Sequence, residues 1–213
     1  MKDILRLLLA LTLIAAIAGL ILSQVETATR EPIKEQRRLQ MLKALSAVLP
    51  EYTNSPDTDI VTLQNGIDKK GRPVQVVFYR GRKAEQLVGT AFKVVAPDGY
   101  SGNIFIMVGV KPDGQIIGIE ILTHAETPGL GSKITDALFK DQFKGKNLDN
   151  VDWRVKKDGG EFDQITGATI SPRAIVGAVK KGLEFYREHK VEILAPQVIL
   201  APPVIPAPQG GIK

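Results

Sequence analysis

Cysteine is absent from the 213 residues, which excludes disulfides, attached c-type haem and thiolate-held iron–sulfur clusters from this chain. Histidine is scarce: His124 and His189 stand about a domain apart in sequence, which argues against a metal site. Aromatic residues make up only 6% of the chain. The formal charge of +5 is spread, with small clusters at Lys156-Lys157 and Lys180-Lys181. Nucleic-acid binding wants a basic stripe interleaved with aromatics, and none is present. A Gly-rich dinucleotide fingerprint is missing as well.

What the chain has instead is an apolar start. Leu7 to Leu22 contains one polar residue, Thr12, and with Ile4, Leu5 and a snorkelling Arg6 the run reaches the roughly 20 residues a membrane helix needs. We read residues 1–25 as a retained membrane anchor. A cleaved signal peptide is the rival reading, but Ala16-Ile17-Ala18 sits inside the apolar run and no small-residue pair stands at a sensible cleavage site after Leu22. Lys2 and Arg6 flank one side, and Arg30, Lys34, Arg37 and Arg38 the other, so basic residues alone do not orient the anchor.

Hydrophobic residues at 44% leave room for one further domain with its own core. A juxtamembrane helix is expected within residues 26–50: from Glu31 to Leu49 the apolar positions Met41, Ala44, Leu45, Val48 and Leu49 recur at helical spacing, and Pro50 ends the run. Residues 53–59 form a polar loop. Strand-like runs follow at Val74 to Tyr79, Leu87 to Val95, Ile104 to Val110 and Ile116 to Leu122. Their short connections, such as Lys111-Pro112-Asp113-Gly114, call for antiparallel pairing, because a parallel crossover needs a dozen or more residues. Helices expected from Lys133 to Phe143 and from Pro172 to Glu188 then cover the sheet. The fold class is α+β, a mostly antiparallel sheet flanked by helices, in a domain spanning 51–194 behind one N-terminal transmembrane helix. Residues 195–213 form a Pro-rich tail suited to an extended segment, either packed on a partner subunit or loose.

The densest chemistry lies at Asp163-Gln164-Ile165-Thr166-Gly167-Ala168-Thr169-Ile170-Ser171-Pro172. Gly167 and Ala168 let backbone approach a bound group closely. Ser171 suits an N-cap and Pro172 the first helical position. Ile175, Ala178, Val179, Leu183 and Tyr186 continue at helical spacing. A helix that starts there points free N–H groups and its positive dipole end at whatever sits on Thr169, which is an anion-binding construction. A plain capped helix is the alternative.

A second stretch, His124-Ala125-Glu126-Thr127-Pro128-Gly129-Leu130-Gly131, joins a strand to a helix. Pro128-Gly129 favours a turn and Gly131 adds a second flexible point, so this backbone can lie flat against a planar ring. Glu126, Thr127 and exposed amides suit the ring's polar edge, and Leu130 its apolar side. An ordinary strand-to-helix connection is the competing reading. Tyr100 and Trp153 are aromatic stacking candidates, each equally suited to core or rim.

Asp-x-x-Thr-Gly-Ala-Thr resembles the flavinylation motif of proteins that carry FMN joined through its phosphate to the last threonine, here Thr169. Glu-Thr-Pro-Gly-Leu-Gly resembles the second signature of the same family. That family comprises the G subunits of Rnf-type electron-transport complexes and the C subunits of sodium-translocating NADH:quinone reductases. Gly99-Tyr100-Ser101-Gly102 is a third, weaker element, and the resemblance covers residues 1 to about 190. It implies a covalent FMN on Thr169, contacts from Thr166, Gly167, Ala168, Ile170, Ser171, Glu126, Thr127, Gly129, Leu130, Gly131, Gly99 and Tyr100, and recognition of Asp163 by a flavin transferase. It also implies an extracytoplasmic domain in the cytoplasmic membrane, other subunits of an Rnf-type complex as partners, and no catalysis by the chain alone.

On this reading the chain relays electrons inside a complex that couples ferredoxin and NAD to ion movement. The domain's short length fits the G subunit better than the longer C subunit. A C-subunit-like component, a stand-alone flavinylated carrier and an anchored scaffold or sensor without flavin are the alternatives.

Overall fold

A computed structural model describes residues 2–67 and 71–196. The Pro-rich tail expected at 195–213 lies outside the described residues from position 197 onward. The chain divides into two compact units, 1–46 and 47–213.

The first unit is a single helix. The anchor and the helix expected from Glu31 are one continuous element, α1 (Lys2–Val48), which carries Pro32 in its interior and so lacks one backbone hydrogen bond there. Its N-terminal half is long and apolar enough to cross a membrane. Thr12 is accommodated in that run by donating its hydroxyl to the Leu8 carbonyl at 2.8 Å, which satisfies the one polar side chain within its own helix. Past Val25 the surface becomes charged, with Glu26–Arg30 and Glu31–Lys34 pairs at 2.9 and 2.7 Å. These one-turn pairs are worth a few tenths of a kcal/mol each, about 0.2–0.5.

Among the described residues the second unit is built on five strands: β1 (Ile60–Ile67), β2 (Pro73–Lys83), β3 (Gln86–Gly99), β4 (Gly102–Val110) and β5 (Ile116–Thr123). Every neighbour is antiparallel and the order is that of the sequence, as the short connections require. Strand β1 was not expected. Only Val61 and Leu63 in it pack against the core, too weak a pattern to register as a strand.

Register places Phe78, Phe92, Val108 and Ile119 on one line across the sheet. This face is buried under α3 (Ile170–Glu188), whose Ile175, Val176, Val179, Leu183 and Tyr186 point inward. The fit is tight: a Cβ on Gly182 would stand 2.5 Å from Val94 and 2.9 Å from Phe92. The neighbouring line, Tyr79, Ala91, Gly109 and Gly118, faces the other way. Residues 47–50 cross that side, and a Cβ on Gly109 would overlap the Val48 carbonyl. The small side chains there are a path for the incoming backbone.

The helix expected from Lys133 to Phe143 is broken into a 3-10 turn (Gly131–Thr135), a short α2 (Ala137–Lys140) and a second 3-10 turn (Asp141–Phe143). Asp136, extended at ψ 145°, interrupts it. A short α4 (Lys190–Leu194) follows α3. The Ala195 carbonyl just beyond it accepts a hydrogen bond from Arg80 Nη1 at 2.7 Å. Arg80 is only 2% exposed and pairs with Asp59, which also binds Arg82 at 2.7 Å.

Candidate functional site

Three segments far apart in sequence meet at one cavity of about 330 Å³, within the roughly 300–1,000 Å³ usual for small-molecule sites. The turn between β3 and β4 contributes Tyr100. The loop after β5 contributes Glu126, Thr127, Leu130 and Gly131, and the start of α3 with its preceding turn contributes Gly167 to Ser171.

The turn before α3 closes through the Ala168 N–H, which donates to the Ile165 carbonyl at 2.9 Å. Gly167 sits in it at φ +79°, the conformation that a type II turn needs at its third residue. Leu130 lies over this turn: a Cβ on Gly167 would approach its Cδ1 to 3.0 Å. Helix α3 begins at Ile170, two residues earlier than the expected start at Pro172, and Thr169 rather than Ser171 occupies the cap position, without a side-chain capping bond. The Thr169 carbonyl accepts from Arg173 N–H at 3.2 Å. Pro172 has no N–H to offer, so Ile170 and Ser171 supply the first-turn amides that lack intrahelical acceptors.

Ser171 is therefore not the N-cap. Its buried hydroxyl donates to Glu126 Oε2 at 2.6 Å. Glu126 in turn lines the cavity from a buried position: it is 4% exposed, and its Oε1 accepts the Ser101 N–H at 3.2 Å. The Glu126 N–H donates to His124 Nδ1 at 3.1 Å. The expected free amides of the loop are partly spent. Leu130 and Ser132 N–H groups both donate to the Thr127 carbonyl, and Gly129 N–H donates to Ser132 Oγ at 2.9 Å.

Three expected cofactor contacts, Gly129, Gly99 and Thr166, do not line the cavity. Gly129 is at the exposed tip of its turn, at φ +74°. Gly99 lies behind the wall, where a Cβ would stand 2.9 Å from Glu126 Oε1. Thr166 and Asp163 face an adjoining cavity of about 370 Å³ with Leu138 and Gln142. Asp163 Oδ1 pairs there with Lys156 Nζ at 2.7 Å. Tyr100 is 69% exposed on the cavity rim. Trp153, by contrast, is a core residue: it packs against Phe143 and Phe162 and donates Nε1–H to the Asn147 carbonyl at 3.1 Å.

Electrostatics at the helix start come from the backbone. Arg173, in the first turn of α3, is held by Asp158 through two hydrogen bonds of 2.6 and 2.7 Å. This bond keeps the Asp158 carboxyl below the ordinary aspartate range and raises Arg173. The guanidinium is thus already neutralised, and an anion at Thr169 meets amides and the helix dipole instead.

The residues present fit FMN. Thr169 presents a hydroxyl free of capping duty beside two amides. Gly131 and Gly167 leave the walls flat, and exposed Tyr100, Leu130 and Ile170 give an apolar rim for a planar ring. Residues 99–184 match the FMN-binding domain family. Over 192 residues the chain is 41% identical to the G subunit of the ion-translocating oxidoreductase complex of Aliivibrio fischeri, covering 87% of this chain and 91% of that protein.

The chain belongs to this family of G subunits. Its Vibrio cholerae relative is 38% identical over 192 residues, with the same coverage of 87% and 91%. NqrC of Shewanella oneidensis aligns with a TM-score of 0.49 at 24% identity, over 65% of this chain and 70% of that one. The two loops singled out in the sequence are the ones that converge here. Ser101 and His124 stand inside the motif stretches, but their hydrogen bonds to Glu126 were not expected from them.

Proposed function

We propose that this chain is a membrane-anchored flavoprotein subunit that relays electrons through FMN esterified to Thr169 within an Rnf-type ion-translocating complex. The observation that carries the reading is the placement of the Thr169 hydroxyl at a helix N-terminus, on the wall of a cavity formed by both signature loops. Bound FMN supplies one- and two-electron transfer. Thr169 holds its phosphate, with the amides of Ile170 and Ser171 and the dipole of α3 favouring the remaining negative charge. Leu130 and Tyr100 flank the ring, and the 124–131 loop limits access of water to one side.

The names of the relatives support assembly with other subunits of an ion-translocating oxidoreductase. The exposed apolar stretch of α1 supports an anchor: Leu7, Leu11, Ile14 and Leu22 are each more than half exposed, which is costly in water and favourable in lipid. The soluble domain faces the extracytoplasmic side, where a covalent link prevents loss of the cofactor. A separate flavin transferase installs FMN and reads Asp163. The working units are 1–25 as anchor, 26–50 as juxtamembrane helix, 51–194 as FMN domain and 195–213 as tail.

The full chain, coexpressed with a flavin transferase and run on a denaturing gel, is expected to fluoresce as a flavoprotein. Loss of that signal in Thr169→Ala with retained folding supports the assignment. A non-fluorescent parent chain contradicts it.

A further inference from the structure

Glu126 is buried at the wall of the cavity, 4% exposed. Oε2 accepts the Ser171 hydroxyl at 2.6 Å and Oε1 the Ser101 amide at 3.2 Å. Two glycines press on the same carboxylate: a Cβ on Gly131 would stand 2.8 Å from Oε2, and one on Gly99 2.9 Å from Oε1. A buried carboxylate is tolerated only with hydrogen-bond donors on its oxygens, and here the donors belong to two different walls of the cavity. Ser101 is on the β3–β4 turn, and Ser171 is on the first helical turn, two residues after Thr169. Glu126 itself belongs to the third wall.

We infer that Glu126 is a positioning residue: its carboxylate fixes the 124–131 loop and the 99–102 turn to the attachment helix, and so sets where a flavin ring lies relative to Thr169. The inference rests on the FMN reading above. A phosphoester at Thr169 fixes one end of a flexible ribityl chain and does not orient the ring. Orientation comes from the walls, whose spacing from Thr169 is set through the Ser171 hydroxyl on the same turn of α3. Reach and hydrogen-bonding capacity make the role specific. Aspartate is one methylene too short to serve both donors, whereas glutamine keeps an acceptor for Ser101 and can donate to Ser171.

The test uses the full chain in detergent with two measurements. In the flavin-free protein, hydrogen exchange of the 99–102 and 167–172 segments is compared for the parent, Glu126→Ala, Glu126→Gln and Ser171→Ala. Both segments are expected to exchange about tenfold faster or more in Glu126→Ala, since a buried charge-assisted network is lost. Ser171→Ala is expected to loosen chiefly the helix start, and Glu126→Gln to restore most protection.

In the flavin-loaded protein, Glu126→Ala is expected to keep the covalent flavin, with faster depolarisation of flavin fluorescence and a shifted midpoint potential, and Glu126→Gln to return both toward the parent. If Glu126→Ala does not fold, Ser171→Ala carries the same comparison. Unchanged exchange in both segments, or parent-like depolarisation and potential in loaded Ser171→Ala and Glu126→Ala, overturns the positioning role alone. A parent chain that takes up no flavin overturns the FMN reading and the positioning role with it.

Discussion

A Cβ on Gly131 would stand 2.8 Å from Oε2 of Glu126, whereas one on Gly129, two residues earlier, would meet open space. Their substitutions therefore fail in different ways. Gly131→Val drives a branched side chain into the carboxylate and is expected to destabilise by about 1–3 kcal/mol while altering the bound flavin's absorption spectrum. Gly129→Val meets only its left-handed backbone, φ +74°, at about 1–2 kcal/mol, with a smaller spectral change. Urea titration and visible absorption separate the two. Parent-like spectra in both variants return the loop to a plain strand-to-helix connection.

Arg80 and Asp59 are the second test. Asp59 is the shared carboxylate of two arginines, one of them 2% exposed. Asp59→Ala strands a buried guanidinium, and the expected loss is about 3–5 kcal/mol. Arg82→Ala, at the more exposed end of the network, is expected to cost about 1 kcal/mol. Equal losses in urea denaturation contradict this ranking.

Alkaline stability turns on Tyr186. Burial pushes its hydroxyl up to about 12, and the Asp113 carboxylate adds to the shift. A folded-state value above the unfolded one, about 10, means a contribution fully present below pH 10 and lost as pH rises through 12. Discounted for partial solvent screening, the loss is about 1–2 kcal/mol at 1.36 kcal/mol per unit. Tyr186→Phe lacks this titration, so between pH 9.5 and 11.5 its stability is expected to fall by that much less than the parent's.

Topology follows from the anchor. The N-terminus is expected in the cytoplasm and residues beyond about 26 outside. Reporter fusions after Glu51 and at the C-terminus check it, and activity of a cytoplasm-only reporter at both points reverses the orientation.

The parts of the fold legible in the sequence were those with dense local pattern. Ile104 to Val110 and Ile116 to Leu122 are rich in β-branched residues around an Asp-Gly turn, and they pair as expected across Lys111–Gly114. Helix α3 repeats apolar residues with a hydrophilic outer face, and only its start moved, by two residues. Strand β1 escaped because its burial is slight: Ile60 and Ile67 are exposed, and Val61 and Leu63 alone in it pack on the core. The candidate site was legible where backbone conformation dictates residue type, as at Gly167 with φ +79°; Gly131, expected to use the same freedom, does not take a positive φ and instead makes room for Glu126. Glu126 was singled out but its hydrogen bonds were not: a buried carboxylate's partners, Ser101 and Ser171, lie 25 and 45 residues away, and no local pattern reports a contact between loops.

Attachment at Thr169 is the central claim, and peptide mass spectrometry tests it most directly. The full chain is coexpressed with a flavin transferase, digested, and the peptide spanning Asp163 to Arg173 sequenced. Thr169 competes with Thr166, which faces the adjoining cavity, and with Ser171, whose hydroxyl is buried against Glu126. The account predicts FMN on Thr169, lost in Thr169→Ala and retained at Thr169 in Ser171→Ala. FMN mapped to Thr166 or Ser171, or no FMN on this peptide, contradicts it.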